Sequence, residues 1–199
     1  MQTILGKYNA DIQHASQVQK LSLIIFDEMQ KLNLHNMTQK DRKYLEIASI
    51  LHDIGYFLGQ KGHNKHSFEL IQKEDFSCID EMDKKFIGAI ARYHRGALPS
   101  KEHEFYNSLN KKDKALLCAL AGILRLADAL DRAHLAVVFD MKFFYDEPNN
   151  ILACHLVPRL QDFHFDLKSY IKKKDLFEKA FKVQLLLLNK NAIEINFQM

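Results

Sequence analysis

The sequence predicts a mainly α protein: a helical body followed by a small α/β tail. Three observations carry this. Apolar residues recur at helical spacing through most of residues 11–133. Gly and Pro are sparse, at 7 and 3 in 199 residues, which disfavours an all-β design. After His134 the texture changes to short Val- and Phe-rich runs separated by turn residues. The boundary falls near residue 134, dividing the chain into a helical domain over 1–134 and a tail over 135–199.

Residues 1–9 read as a lead-in. Ile12, Ala15, Val18, Leu21, Ile25 and Met29 share one helical face, so the first helix runs from Asp11 to about Lys31. Thr38, with Asp41 three residues on, caps a second helix whose stripe is Tyr44, Leu45, Ala48 and Leu51. Gly55 is a natural stop for it, which puts His52 and Asp53 on its last turn. A Gly-containing loop over 55–65 leads to a short third helix from about Lys65 to Lys73. Asp80 caps a fourth, Glu81 to about His94, ending at Gly96. The fifth runs from about Lys111 to Ala133 on Leu116, Leu117, Leu120, Ile123, Leu124, Ala127 and Leu130.

In the tail, Leu135–Tyr145 and Ile151–Val157 flank Glu147-Pro148-Asn149-Asn150 and read as a β-hairpin. Lys168–Lys182 reads as an amphipathic helix with a basic face. Val183–Leu188 and Ala192–Phe197, around Asn189-Lys190-Asn191, read as a second hairpin, although Leu185–Leu188 could equally continue the helix.

Composition removes several function classes. With 47% hydrophobic and 27% charged residues the chain folds as a soluble protein. Lys and Arg number 28 against 25 Asp and Glu, too balanced for general nucleic-acid binding. The three cysteines, Cys78, Cys118 and Cys154, are isolated, so a reducing, cytoplasmic compartment is expected. No signal-like start is seen, and no apolar run approaches the roughly 18 residues of a membrane span.

The 10 histidines are the unusual count. LEIASILHDIGYFLGQKGHNKH, residues 45–66, places His52 beside Asp53 and adds His63 and His66. Imidazole with carboxylate suits first-row divalent metals and leaves Mg and Mn open. His14 on the first helix and Asp128 on the fifth supply partners for the pair, and His66 and His94 could join them. Two histidines and two carboxylates complete a mononuclear site. Extra histidines could hold a second ion, with Asp53 bridging. Such a site acidifies bound water near neutral pH. Arg92, Arg95, Arg132 and Lys65 lie close in sequence and suit a phosphate clamp. Read singly, these residues have plainer roles. His52 is favoured at a helix C-terminus, Asp128 can pair with Arg125 or Arg132, and Arg92 and Arg95 can be surface charges. His63 is open between a further ligand and a plain loop residue. His35, His103, His134, His155 and His164 read as non-ligands, and Lys172–Lys174 as a solvated helix face.

The order H…HD…D, carried by His14, His52, Asp53 and Asp128, resembles the HD superfamily of metal-dependent phosphohydrolases. That resemblance implies metal binding by these four residues and phosphomonoester, phosphodiester or nucleotide substrates. It also matches His66 and His94 to the added ligands of dinuclear members. ASILHDIGYFLGQKGHNKHSFELI, IARYHR, LRLADALDRAH and, in the tail, DLFEKAFKVQLLLL are similar to the C-terminal HD-like domain of the exopolyphosphatase/guanosine pentaphosphate phosphatase family. In that family hydrolysis belongs to N-terminal actin-like domains with Gly-rich phosphate loops, which these residues lack. The expectation is therefore an HD-type phosphohydrolase with one or two divalent ions (Mn, Mg, Fe, Zn, Co or Ni). Its partner would be a phosphorylated small molecule, nucleotide or polyphosphate, with a homodimer plausible. The alternatives are a non-catalytic polyphosphate- or nucleotide-binding or regulatory module, and a purely structural metal.

Overall fold

A computed structural model describes residues 1–76, 79–159 and 166–188. The chain is mainly α, with a small sheet near the C-terminus, as its sequence predicts. Its elements are α1 (Gln2–Lys7), α2 (Ile12–Lys31), α3 (Gln39–Leu51), a 3-10 turn (Ile54–Phe57), α4 (His63–Lys73), α5 (Glu81–Arg92), α6 (Glu104–Ser108), α7 (Lys111–Leu130), β1 (Val138–Asp146), β2 (Ile151–Pro158), α8 (Leu167–Lys173), α9 (Asp175–Phe181) and β3 (Gln184–Leu188).

Local chemistry accounts for the helix starts. Thr38 and Asp41 form a full capping box on α3. The side chains of Asp11, Asp80 and Asn110 accept the His14, Asp83 and Asp113 amides at the starts of α2, α5 and α7. The apolar stripes of α2, α3, α5 and α7 close on one core that includes Val18, Ile25, Phe26, Leu45, Leu51, Ile87, Ile90, Leu120 and Leu124, all at or near full burial.

The lead-in over 1–9 contains a short helix rather than extended chain. Leu5 and Tyr8 enter the core, and Glu74 ties them down, accepting from Lys7 Nζ at 2.5 Å and from the Tyr8 hydroxyl. The third helix begins two residues earlier than its pattern suggests, at His63, because Gly62 takes a left-handed conformation at φ 80° and starts it there. The basic helix expected over 168–182 divides at Lys174 into α8 and α9.

In the tail, β1 and β2 form the expected antiparallel hairpin, with Phe143 opposite Cys154. Val183–Leu188 is a strand, but it joins the sheet parallel to β2, with Cys154 opposite Leu187. The order is β1-β2-β3, and α8 and α9 form the crossover between the parallel strands. The other half of the expected second hairpin, Ala192–Phe197, lies outside the described residues. Leu152, Cys154, Leu156, Leu185 and Leu187 face the helices. Gln17 on α2 donates to the Val138 carbonyl at 2.6 Å. α9 runs so close to α7 that a methyl at Gly122 would stand 3.0 Å from Phe177 Cα. Among the described residues no helix is long and apolar enough to cross a membrane.

Burial disfavours charge on Glu74, but its bonds from Lys7 and Tyr8 outweigh this and hold the carboxyl below its ordinary value. A lowered acid pKa stabilises the fold above the unfolded-state value of about 4.5. That contribution is lost as pH falls through the folded-state value. Glu74→Gln is therefore expected to melt several degrees below the wild type at pH 7. The gap closes in acid, and thermal melts at pH 7 and pH 3 measure it.

Candidate metal centre

Five helices and one turn bring their polar residues to a single buried point. His14 sits in the first turn of α2 and is 1% exposed. His52 caps the C-terminal end of α3, with Asp53 directly after it. His63 opens α4, His94 follows the end of α5, and Asp128 lies in the last turn of α7. His52, His63 and His94 are at most 1% exposed, and Asp128 is 5% exposed.

Asp53 is the hub. Its Oδ2 lies 3.4 Å from His52 Nε2 and 3.7 Å from His14 Nε2. Its Oδ1 lies 3.2 Å from His63 Nε2 and 3.4 Å from His94 Nε2. Asp128 Oδ1 joins the first group, 3.5 Å from His14 Nε2 and 3.9 Å from His52 Nε2. Two sets of ligand atoms thus share one carboxylate. Among the described residues three groupings are compact enough for an ion: His14, His52 and Asp128; His52, Asp53 and His94; and His14, Asp53 and His134, the last a histidine not expected from the sequence as a ligand.

All four imidazoles are oriented alike. The Nδ1 of His52, His63 and His94 donates to the carbonyl three residues earlier, Ser49 at 2.7 Å, Gln60 at 3.0 Å and Ala91 at 2.7 Å. His14 Nδ1 donates to Asp131 Oδ2 at 2.9 Å, and Asp131 Oδ1 in turn accepts the Ala136 amide at 2.8 Å. In the neutral rings every Nε2 is then a bare acceptor turned inward. His63 Nε2 faces His94 Nε2 at 3.4 Å with no proton to place between them. His14 Nε2, His52 Nε2 and Asp53 Oδ1 are buried without a hydrogen-bond partner among the described residues. Buried acceptors facing acceptors need a cation, either protons or a metal.

The electrostatics agree. Burial penalises charge on Asp53, but the neighbouring His52, His63 and His94 outweigh it and hold the carboxyl far below the usual range. Asp128 is held low against its burial chiefly by Lys173, then by His14. Burial opposes protonation of His14, yet the nearby Asp128 carboxylate and the bond to Asp131 push it up to about 9. Burial wins at His94, pushed down to about 3.

Of the residues expected from sequence, His14, His52, Asp53, His94 and Asp128 come together. His66 does not join them. It lies one turn further along α4, half-buried, its Nδ1 without a partner among the described residues. His63, left open between ligand and loop residue, stands at the cluster. Arg95 Nη1 approaches His63 Nε2 at 3.4 Å. Arg132 is exposed and, with Arg95, adds positive charge near Tyr56, whose ring stacks on His63 at 3.9 Å. The Arg92 guanidinium lies over the Phe68 and Tyr93 rings, while its carbonyl accepts from Asn64. Three further residues stand at the cluster, and two of them correct the sequence reading: His134, read as a non-ligand, and Lys173, read as part of a solvated helix face. Asp131 orients His14. His134 stacks on it at 3.6 Å, bonded to Asp11 at 2.9 Å. Lys173 pairs with Asp128. A groove of about 1000 Å³ between α3, α5 and α7 lies apart from all of these residues.

These features define a mainly α protein with a buried His/Asp cluster able to hold a metal. A family model for domain III of the Ppx/GppA phosphatases matches residues 1–176. The chain belongs to that family.

Gly55 holds the second group in place. A methyl there would overlap the His63 carbonyl and stand 2.5 Å from the Ser67 amide nitrogen, which is backbone that cannot swing away. The glycine is thus required by close packing of the 3-10 turn on α4, beyond any role in ending α3. Gly55→Ala is expected to cost about 3 kcal/mol or more. Gly6→Ala, with open space around it, should be neutral or slightly stabilising. Urea unfolding of both variants tests the contrast.

Proposed function

We propose that this chain is an HD-type, divalent-metal-dependent phosphohydrolase acting on a phosphorylated small molecule or a nucleotide. The observation that carries the reading is the common orientation of the imidazoles. Each Nδ1–H is used on the outside, and each Nε2 opposes a carboxylate oxygen or another Nε2 inside. This is how metal-ligating histidines are held.

In this reading His14, His52, Asp53 and Asp128 would hold one ion. Asp53, His63 and His94 would hold a second, with His63 in the role the sequence suggested for His66. The donor set admits Mn, Mg, Fe, Co, Ni or Zn. A divalent ion supplies Lewis-acid charge and acidifies water. Asp131 keeps the His14 Nε2 lone pair turned inward. Arg95 and Arg132 place guanidinium charge on the side of Tyr56, where a phosphate can be clamped and its developing charge balanced.

A second reading has its own support. The family match is to one domain of a phosphatase. The strand β1 is also a sheet edge carrying Phe139 and Phe144 at 50% and 59% exposure. A module that binds polyphosphate or a nucleotide, and pairs with a second chain along that edge, uses both features.

Protein purified without added metal or chelator is expected to carry one or two equivalents of metal, lost in His52→Ala and Asp53→Ala. With that metal the wild type should hydrolyse members of a panel of phosphomonoesters, phosphodiesters and nucleotides. Asp53→Ala should be slower by about a hundredfold or more. Full activity in Asp53→Ala would overturn the hydrolase reading. Tight polyphosphate binding with no metal and no turnover would favour the module.

A further inference from the structure

The two oxygens of Asp128 have different surroundings. Oδ1 faces His14 and His52 at 3.5 and 3.9 Å. Oδ2 is paired with the ammonium of Lys173, which reaches it from the last turn of α8 in the tail. The Lys173 side chain is only 14% exposed. Its neighbours differ. Lys172 is exposed, and Lys174 binds Glu178 and the Leu185 carbonyl, both at 2.8 Å. A lysine whose task is solubility keeps its ammonium in water. The Lys173 ammonium instead lies inside, and its charge also bears on His94 in the second group.

Building on the metal-centre reading, we infer that Lys173 is a positioning residue of the centre. Its ammonium fixes Asp128 with only Oδ1 turned to the cluster and limits the affinity for cations, so that the tail forms one wall of the site. Two consequences follow from charge. The ammonium repels any cation entering beside it, more strongly for being sheltered from water. By occupying Oδ2 it also leaves Asp128 a single oxygen to offer, which preserves open positions for water and phosphate at a catalytic ion.

The test is the dissociation constant of Mn²⁺, measured by calorimetry on the chelator-stripped, full 199-residue chain. Lys173→Met keeps the apolar stem and removes the charge, and Lys173→Gln does so while keeping a hydrogen-bond donor. Each should bind Mn²⁺ tighter by about tenfold or more. Lys173→Arg and the neighbouring Lys172→Met should stay within about threefold of the wild type. A lysine that merely held the fold together would give the opposite sign, weaker binding on removal. Unchanged or weaker binding in both Lys173→Met and Lys173→Gln, with the wild type binding normally, would overturn this inference alone. No Mn²⁺ uptake by the wild type would overturn the metal reading and this inference with it.

Discussion

One carboxylate sets the arrangement of the helical body. Asp53 stands within 3.7 Å of four imidazole nitrogens, two on each oxygen. Those imidazoles come from α2, the end of α3, the start of α4 and the end of α5. An anion so enclosed is tolerable only if positive charge meets it from both sides. Moving any of these elements by an ångström or two would leave it uncompensated. The helix ends therefore meet here, and the packed apolar stripes serve as the rigid frame that holds them to it.

The second layer makes that frame specific. Three of the four rings are fixed by a carbonyl of their own preceding turn, so their orientation is set by local backbone and survives small shifts between helices. His14 is the exception. It lies at the start of its helix and relies on Asp131, 117 residues away, which is itself anchored by the Ala136 amide. The chain around Asp131 turns sharply, with His134 and Ala136 both at positive φ. This strained loop places a carboxylate and a stacking ring against His14.

Much of this was legible in the sequence. Caps such as Thr38 with Asp41, and the stripes of α2, α3, α5 and α7, predicted the helices because local hydrogen bonding and periodicity dictate them. His14, the His52-Asp53 pair, His94 and Asp128 were legible as chemistry because each lies at a helix end or beside an apolar stripe. His66 was preferred to His63 because the sequence pattern starts the helix near Lys65 and leaves His63 in the loop, whereas Gly62 starts α4 at His63 itself. Lys173 was hidden in a run of three lysines, since only tertiary packing decides which of them turns inward. Gly55 suggested a helix stop, yet the contact that demands it is with the backbone of α4. The parallel pairing of β3 was invisible, because a strand pattern specifies neither partner nor direction.

The crossover from β2 through α8 and α9 to β3 has a consequence for the order of events during folding. A chain emerging from the ribosome can pack α2 to α5 early. Their mutual contacts bring the histidines around Asp53 while Asp128 is still unmade. When α7 follows, its buried aspartate lacks its ammonium until residue 173 has emerged and the parallel strand has docked across a long separation, which is a slow kind of pairing. The centre is thus finished at the end of folding rather than serving as its nucleus. A nascent chain, or one nicked ahead of residue 173, would leave the Asp128 carboxylate without its ammonium.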